Sequence, residues 1–255
     1  MNLSTLPAAA SPAKVSHLGH WTLHEHAEVD STNYVAGRLP AWSAVRADTQ
    51  TAGRGRFQRT WVSDAGGLWL SAVVPATGDK ASWQVMPLVA GLAVIETLKS
   101  FGVTNTHLRW PNDIMVGDKK LAGLLLDTFK PNLAVIGLGI NVTNQPAAQD
   151  AALRATATRL ADILNPAPTL GVLTVAILSS LHTTMNELAD RGFAALRPRI
   201  NHLWGGTPRV KVDLDHGQHE GIFTGVDDAG RLLLREDSGR ETALATHEVK
   251  LLREL

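Results

Sequence analysis

The chain has 255 residues, 24 basic against 24 acidic side chains, and no cysteine. That length can bury the core of one large domain and a small one, while the balanced charge excludes a global field drawing the protein to nucleic acid or a membrane. Disulfides, thiolate catalysis and cysteine-ligated metals are excluded too, and no apolar run approaches the length of a membrane span.

Residues 1–20 are expected to form a disordered tail. The first sixteen are rich in Ala, Ser and Pro, with neither the basic start nor the apolar stretch of a signal peptide, so a cytoplasmic protein is expected. Trp21, Leu23 and Val29 share one parity and predict a strand over 21–29. It ends at Asp30-Ser31-Thr32-Asn33, the composition of a turn and a helix N-cap. These side chains can cap a short helix over 34–39, and they can also face a ligand at its start. A strand over 43–47 leads into Thr51-Ala-Gly-Arg-Gly-Arg-Phe-Gln-Arg-Thr-Trp61, where Arg54, Arg56 and Arg59 alternate with Gly53 and Gly55. Glycine allows close backbone approach to a ligand, and arginine carries a permanent charge on a planar fork that holds carboxylate or phosphate. The spacing is not that of a Walker loop. Taken alone, the stretch is either a solvated basic turn or a local anion clamp.

An apolar strand over 66–74 follows, then a core helix over 83–101 with Val85, Leu88, Val89, Leu92, Ile95 and Leu98 at helical spacing. Residues 108–116 read as two strands broken at Pro111-Asn112, and 117–120 as a hairpin turn. Strands over 121–128 and 132–141 contain Gly123, Gly137 and Gly139, and glycine inside a strand marks close approach by a ligand or another backbone. Residues 142–170 read as loop and short helix, and 170–188 as a second long helix. A boundary falls at Gly205-Gly206-Thr207-Pro208, which separates a domain over 21–205 from one over 206–255. In the latter, alternating segments over 209–214, 217–226 and 231–235 predict a small antiparallel barrel.

Five stretches in order resemble the biotin protein ligases: Asp30-Ser31-Thr32-Asn33, Gly53-Arg54-Gly55-Arg56-x-x-Arg59-x-Trp61, Trp110-Pro111-Asn112-Asp113, Lys120-Leu121-Ala122-Gly123-Leu124 and Gly137-x-Gly139-Ile140-Asn141. The resemblance covers about residues 21–255. It implies an α+β fold, a mixed β-sheet flanked by helices as in class II aminoacyl-tRNA synthetases, with an SH3-like C-terminal barrel. It also implies two half-reactions: biotin and MgATP give biotinyl-5′-AMP, and the biotinyl group passes to one lysine of a biotin carboxyl carrier protein, that of acetyl-CoA carboxylase or a related carboxylase.

By the same resemblance Ser31, Thr32, Asn33 and Gln50 hydrogen-bond the ureido ring, and Gly53, Arg54, Gly55 and Arg56 close over the valeryl tail and the phosphate. Lys120 stands between carboxylate and α-phosphate and, with Arg56, is the catalytic candidate; Lys119 beside it is left to water. Arg56, Arg59, Trp61, Asn112, Asp113, Lys120 and Asn141 belong to the ATP side, with Mg²⁺ near Asp113, and Gly123, Gly137 and Gly139 leave room for the ligand. Three departures stand out: Gln58 where the family often has glycine, Arg109 where it has lysine, and no aromatic residue over 142–170 to stack on adenine. Lipoate–protein ligases and octanoyltransferases share the fold, but the arginine-dense loop joined to Trp-Pro-Asn-Asp favours biotin. A DNA-binding repressor is disfavoured because only about 20 residues precede the first predicted strand, and a silent biotin-binding relative because Lys120 and Arg56 are intact. Monomer and homodimer both stay open.

Overall fold

The alternation of small and large apolar residues along the first half of the chain builds one mixed sheet with two unlike faces. A computed structural model describes residues 12–76, 82–145, 156–206, 208–214 and 217–255. Its strands are β1 (Lys14–Leu18), β2 (Trp21–Val29), β3 (Ser43–Gln50), β4 (Leu68–Pro75), β5 (Thr106–Arg109), β6 (Asp113–Val116), β7 (Lys119–Lys130) and β8 (Leu133–Ile140). They lie in the order β1-β2-β3-β4-β8-β7-β6-β5. β2 and β3 pair in parallel and the other neighbours are antiparallel.

On one face Leu68, Leu70, Ala72 and Val74 of β4 join Ile136, Leu138 and Ile140 of β8 in the main core. Helices α2 (Met86–Ser100), α3 (Leu170–Arg191) and α4 (Phe193–Asn201) supply the rest of that core. α2 is apolar on nearly every side, as a helix enclosed by protein must be. The opposite face carries a smaller cluster, Val29, Val45, Ala47, Val73 and Val135, under the short helix α1 (Thr32–Ala36). Beyond that cluster Ser71, Gly137, Gly139 and Gly123 keep the centre of the face low. Ser71 pairs with Gly137 and Gly137 with Leu125; one row on, Trp69 pairs with Gly139, Gly139 with Gly123 and Gly123 with Asp113.

The second unit comprises β9 (Arg209–Leu214), β10 (Gly217–Val226), β11 (Leu232–Arg235), β12 (Glu241–Leu244) and β13 (Val249–Glu254). It forms an antiparallel sheet in the order β12-β11-β10-β9-β13. No ladder joins β12 to β13 among the described residues, so the expected barrel is not closed by strand pairing. Val210, Phe223, Val226 and Leu232 belong to the same buried cluster as α2 and α4, so the two units share one core. Polar ties cross the junction as well. Trp110 Nε1 donates to the Gly230 carbonyl (3.1 Å), and Arg109 forms a two-pronged pair with Glu254 (3.0 and 2.7 Å). Asn201 Oδ1 accepts from Trp204 Nε1 (2.9 Å) and from the Val226 amide (3.0 Å).

The structure corrects the sequence reading at several points. Residues 14–18, assigned to a disordered tail, form β1 and pair with β2. The first helix spans Thr32–Ala36 instead of 34–39, which brings Thr32 and Asn33 into its first turn. β12 and β13 were not expected. No described helix is long and apolar enough to cross a membrane.

Asn201→Ala leaves the Trp204 indole N–H and the Val226 amide without their shared acceptor. At ~1–3 kcal/mol for each of the two unsatisfied groups, urea unfolding should show a loss of about 2–6 kcal/mol. A change below about 0.5 kcal/mol would mean that the junction does not depend on this side chain.

Candidate active site

The stretch 51–61 closes on itself as a tight loop. The Trp61 amide donates to the Gly53 carbonyl (2.9 Å) and the Gly55 amide to the Arg59 carbonyl (2.7 Å). At its tip Phe57 and Gln58 both have positive φ, 54° and 59°, a conformation costing roughly 1–2 kcal/mol for a residue with a Cβ. A glycine at position 58 would adopt it freely. Gly53 is wedged beneath the loop, where a Cβ would meet the Trp61 carbonyl, Ser63 Oγ (2.5 Å) and Gln50 Nε2 (3.3 Å).

Between this loop, the small-residue face of the sheet and β13 lies a cavity of about 360 Å³. Its lining includes Ser31, Thr32, Asn33 and Gln50 at one end and Asn112, Asp113, Lys120 and Asn141 at the other. Arg54, Gly55, Arg56, Arg59 and Trp61 border it from the loop, and Gly123, Gly137 and Gly139 lie on its sheet wall. Every predicted site residue except Gly53 therefore converges on one space. The lining also includes Arg109 and, from the C-terminal unit, Val249 to Leu252.

One end of the cavity is a fixed polar network. The Thr32 amide and hydroxyl both donate to Gln50 Oε1 (2.9 and 3.1 Å), and Gln50 Nε2 donates to Ser63 Oγ (2.8 Å), which donates to the Trp61 carbonyl (3.1 Å). The Gln50 amide is thus oriented, oxygen toward Thr32 and nitrogen toward Ser63. Ser71, fully buried on β4, lies 2.7 Å from Thr32 Oγ1 and 2.5 Å from Asn33 Oδ1. Asn33 Nδ2 donates to Asp127 Oδ2 (2.8 Å). Two hydroxyl protons, on Ser71 and Thr32, serve three contacts, while Gln50 Oε1 keeps the Thr32 amide as a donor throughout. Ser31 makes no side-chain cap bond to α1, so its hydroxyl stays available to the cavity it lines.

The strand glycines accommodate protein side chains. A Cβ on Gly139 would lie 2.6 Å from Trp61 Nε1, and one on Gly123 would lie 3.0 Å from the same indole. A Cβ on Gly137 would overlap the Asn33 amide, 2.9 Å from Cγ. Trp61 thus packs over Gly123 and Gly139, and Asn33 over Gly137, while all three glycines still border the cavity. Asn112 and Asn141 are likewise engaged with protein. Asn112 Nδ2 donates to the Leu124 carbonyl (2.6 Å), Asn141 Nδ2 to the Thr158 carbonyl (3.1 Å), and Asn141 Oδ1 accepts from Asn144 (3.0 Å).

Among the described residues six cations line the cavity, Arg54, Arg56, Arg59, Arg109, Lys120 and Lys250, against the single carboxylate of Asp113. Lys120 Nζ pairs with Asp113 Oδ1 (2.6 Å) and lies 5.0 Å from the centre of the Trp61 ring. Lys120 stands three residues before Gly123, the wrong parity for one strand face. A register shift where β6 pairs with β7 resolves this: Leu121 and Ala122 both enter the core, and Lys120 turns back to the cavity side. Lys119 is exposed and outside the lining. Arg56 reaches across to the C-terminal unit and donates to the carbonyls of Thr246 (2.7 Å) and Val249 (3.3 Å). Its pKa is lowered by burial first, with Asp113 opposing and Arg59 adding to the shift; a guanidinium starting so high stays charged at neutral pH. Arg59 has no ion-pair partner among the described residues and is exposed.

Sequence reasoning missed Ser63, Ser71, Asp127 and the β13 wall. The 142–170 segment, where no aromatic was found, is described only in part, residues 146–155 being outside the described set.

Residues 29–141 match the Biotin/lipoate A/B protein ligase family, and residues 209–246 match the Biotin protein ligase C terminal domain. These two matches set the class. A biotin–[acetyl-CoA-carboxylase] ligase from Mycobacterium tuberculosis is 34% identical over 81% of this chain and 78% of its own. One from Paracoccus denitrificans is 30% identical over 84% of this chain and 95% of its own. Among solved structures, the Aquifex aeolicus biotin protein ligase in complex with biotin and ATP superposes with a TM-score of 0.81, at 28% identity, covering 91% of this chain and 99% of that one. The chain belongs to the biotin protein ligases.

Gly139→Ala should drive its methyl group into Trp61. Overpacking of this kind costs ~1–3 kcal/mol, and the loss should vanish when Trp61 is also truncated. Urea unfolding of Trp61→Ala and of the Trp61→Ala/Gly139→Ala double variant should then agree within about 0.5 kcal/mol. A full additional loss in the double variant would contradict the contact.

Proposed function

We propose that the cavity binds biotin and ATP together and makes biotinyl-5′-AMP, then passes the biotinyl group to the ε-amine of one lysine on a biotin carboxyl carrier domain. The observation that carries this reading is the six-to-one excess of cations over carboxylates in a cavity whose other end is a neutral hydrogen-bonding network. A ureido ring needs donors for its oxygen and acceptors for its N–H groups, which Ser31, Thr32 and Gln50 can offer. The carboxylate at the far end of the molecule must then meet a phosphate.

In the first step a carboxylate oxygen of biotin attacks the α-phosphorus, the bond to the bridging oxygen breaks, and pyrophosphate leaves. Two unit charges ~4 Å apart repel by roughly 1 kcal/mol in water and ~4 at an effective dielectric of about 20, so fixed cations are required. Lys120 is assigned between carboxylate and α-phosphate, with Arg56 and Arg59 on the phosphate side. The Asp113 carboxylate holds the Lys120 ammonium in place at 2.6 Å. In the second step the carrier amine attacks the anhydride carbonyl, AMP leaves with the phosphate oxygen, and the amine gives up a proton.

A nucleotide-borne Mg²⁺ would, as a hard cation, take oxygen ligands from the phosphates and from one or two carboxylates. Among the lining residues Asp113 would offer it a carboxylate; among the described residues no cluster of three or more metal-ligating side chains forms a resident site.

Incubating the protein with ATP, a carrier domain and either biotin or lipoate tests the reading by intact mass. One biotinyl addition and no lipoyl addition is expected; lipoyl transfer, or no transfer at all, would overturn it. Lys120→Ala should slow single-turnover formation of biotinyl-5′-AMP by about 10²–10³, the ~3–4 kcal/mol typical of one lost charge-stabilising donor, with a much smaller effect on biotin affinity. A rate within about threefold of the parent would remove Lys120 from this role. Arg56→Gly breaks the bonds to Thr246 and Val249 that tie the loop to the C-terminal unit. It is expected to leave adenylate synthesis measurable while releasing the reactive intermediate to bystander lysines, read as biotin label on serum albumin. Lost synthesis without leakage would assign Arg56 to substrate binding alone.

A further inference from the structure

Asp127 belongs to none of the five family-like stretches, yet it is where the two halves of the biotin end meet. One oxygen, Oδ2, accepts from Asn33 Nδ2 at the start of α1 (2.8 Å) and from Arg54 Nη2 on the basic loop (2.9 Å). Arg54 also lies over the Tyr34 ring, 4.1 Å from its centre, so its guanidinium is held between a residue of α1 and a carboxylate of β7. Its side chain is only 13% exposed, and its Nε is buried without a partner. Among the described residues Asp127 is the one carboxylate paired with it. Asn33 depends on the same oxygen: its amide nitrogen is fixed by Asp127 and its amide oxygen by Ser71.

We propose that Asp127 is a positioning residue for the proposed biotin step, a strap that holds the basic loop against α1 and so sets both the shape of the ureido end and the rate at which the loop opens. The inference rests on the reading of the cavity as a biotin–adenylate site. Two side-chain contacts tie the arginines of the loop to the rest of the protein: Arg56 on the C-terminal carbonyls and Arg54 on Asp127. Of these two contacts, the one at Asp127 also fixes Asn33, a residue of the proposed ureido end. Behind the loop a second depression of about 370 Å³, bordered by Arg54, Phe57, Asp127 and His247, gives the Arg54 side chain space to swing outward once its partner is neutral.

Asp127→Asn keeps the volume and can still accept from Asn33, but it removes the ion pair to a mostly buried guanidinium, the more costly loss. Steady-state kinetics with biotin, ATP and a carrier domain should show biotin KM raised at least tenfold with kcat within about threefold. Adenylate preformed without carrier and then passed through gel filtration should leave the variant at least tenfold faster than the parent. Asp127→Glu, which retains the charge, should recover both to within about threefold. Asp127→Ser, which removes the same carboxylate with a smaller side chain, should reproduce the Asp127→Asn behaviour and carries the test if that variant does not fold. Unchanged KM and release rate would overturn the proposal, as would a fall in kcat and melting temperature at constant KM, the mark of a purely structural role. Failure of the parent protein to make adenylate would instead remove the reading on which the proposal rests.

Discussion

Holding a carboxylate against a polyphosphate requires cations that are already in place, because side chains free to move would have to be ordered and desolvated when the ligands arrive. In this chain almost every cation around the cavity is held by protein before any ligand is considered. Arg54 has Asp127, Arg56 has two carbonyls, Arg109 has Glu254 and Lys120 has Asp113. The partners differ in kind: a carboxylate partner lowers the field at the cation it holds, whereas carbonyl partners leave most of the charge of Arg56 for the cavity. Arg59, exposed and without an ion-pair partner among the described residues, is the one left to adapt.

The sheet makes that arrangement possible through its unequal faces. The large aliphatics of β4 and β8 point into the helical layer, and the small residues Ser71, Gly137, Gly139 and Gly123 point the other way. Glycine at 137 and 139 lets Asn33 and Trp61 lie almost on the backbone, and this lowers the cavity floor. The register shift at the start of β7 then turns Lys120 onto that floor while Leu121 stays in the core. A C-terminal unit sharing the core with α2 and α4 adds the fourth side, where β13 lines the cavity and Arg56 is tied down.

Much of this was legible in the sequence. The strands and long helices followed from parity and helical spacing, and the five motif stretches, read through a family resemblance, named the residues that line the cavity. What the sequence concealed has physical causes. Ser71 lies in an apolar run, where a hydroxyl carries no local signal, and Asp127 lies near the end of a strand that looks solvated. The strand glycines correctly signalled a close approach, but nothing local distinguishes a ligand from the side chain of Trp61 or Asn33. β1 was hidden by the weakly hydrophobic sequence Lys-Val-Ser-His-Leu, and β12 by its four-residue length. The reach of Arg56 to Thr246 spans 190 positions and could not be found by any local rule.

The central claim is that the cation-lined cavity activates biotin on ATP. Isotope exchange between pyrophosphate and ATP tests it most directly, because it reports the reversible first step without a carrier. The account predicts exchange that requires biotin and is not supported by lipoate. Absence of biotin-dependent exchange from folded protein, or equal exchange with lipoate, would contradict it.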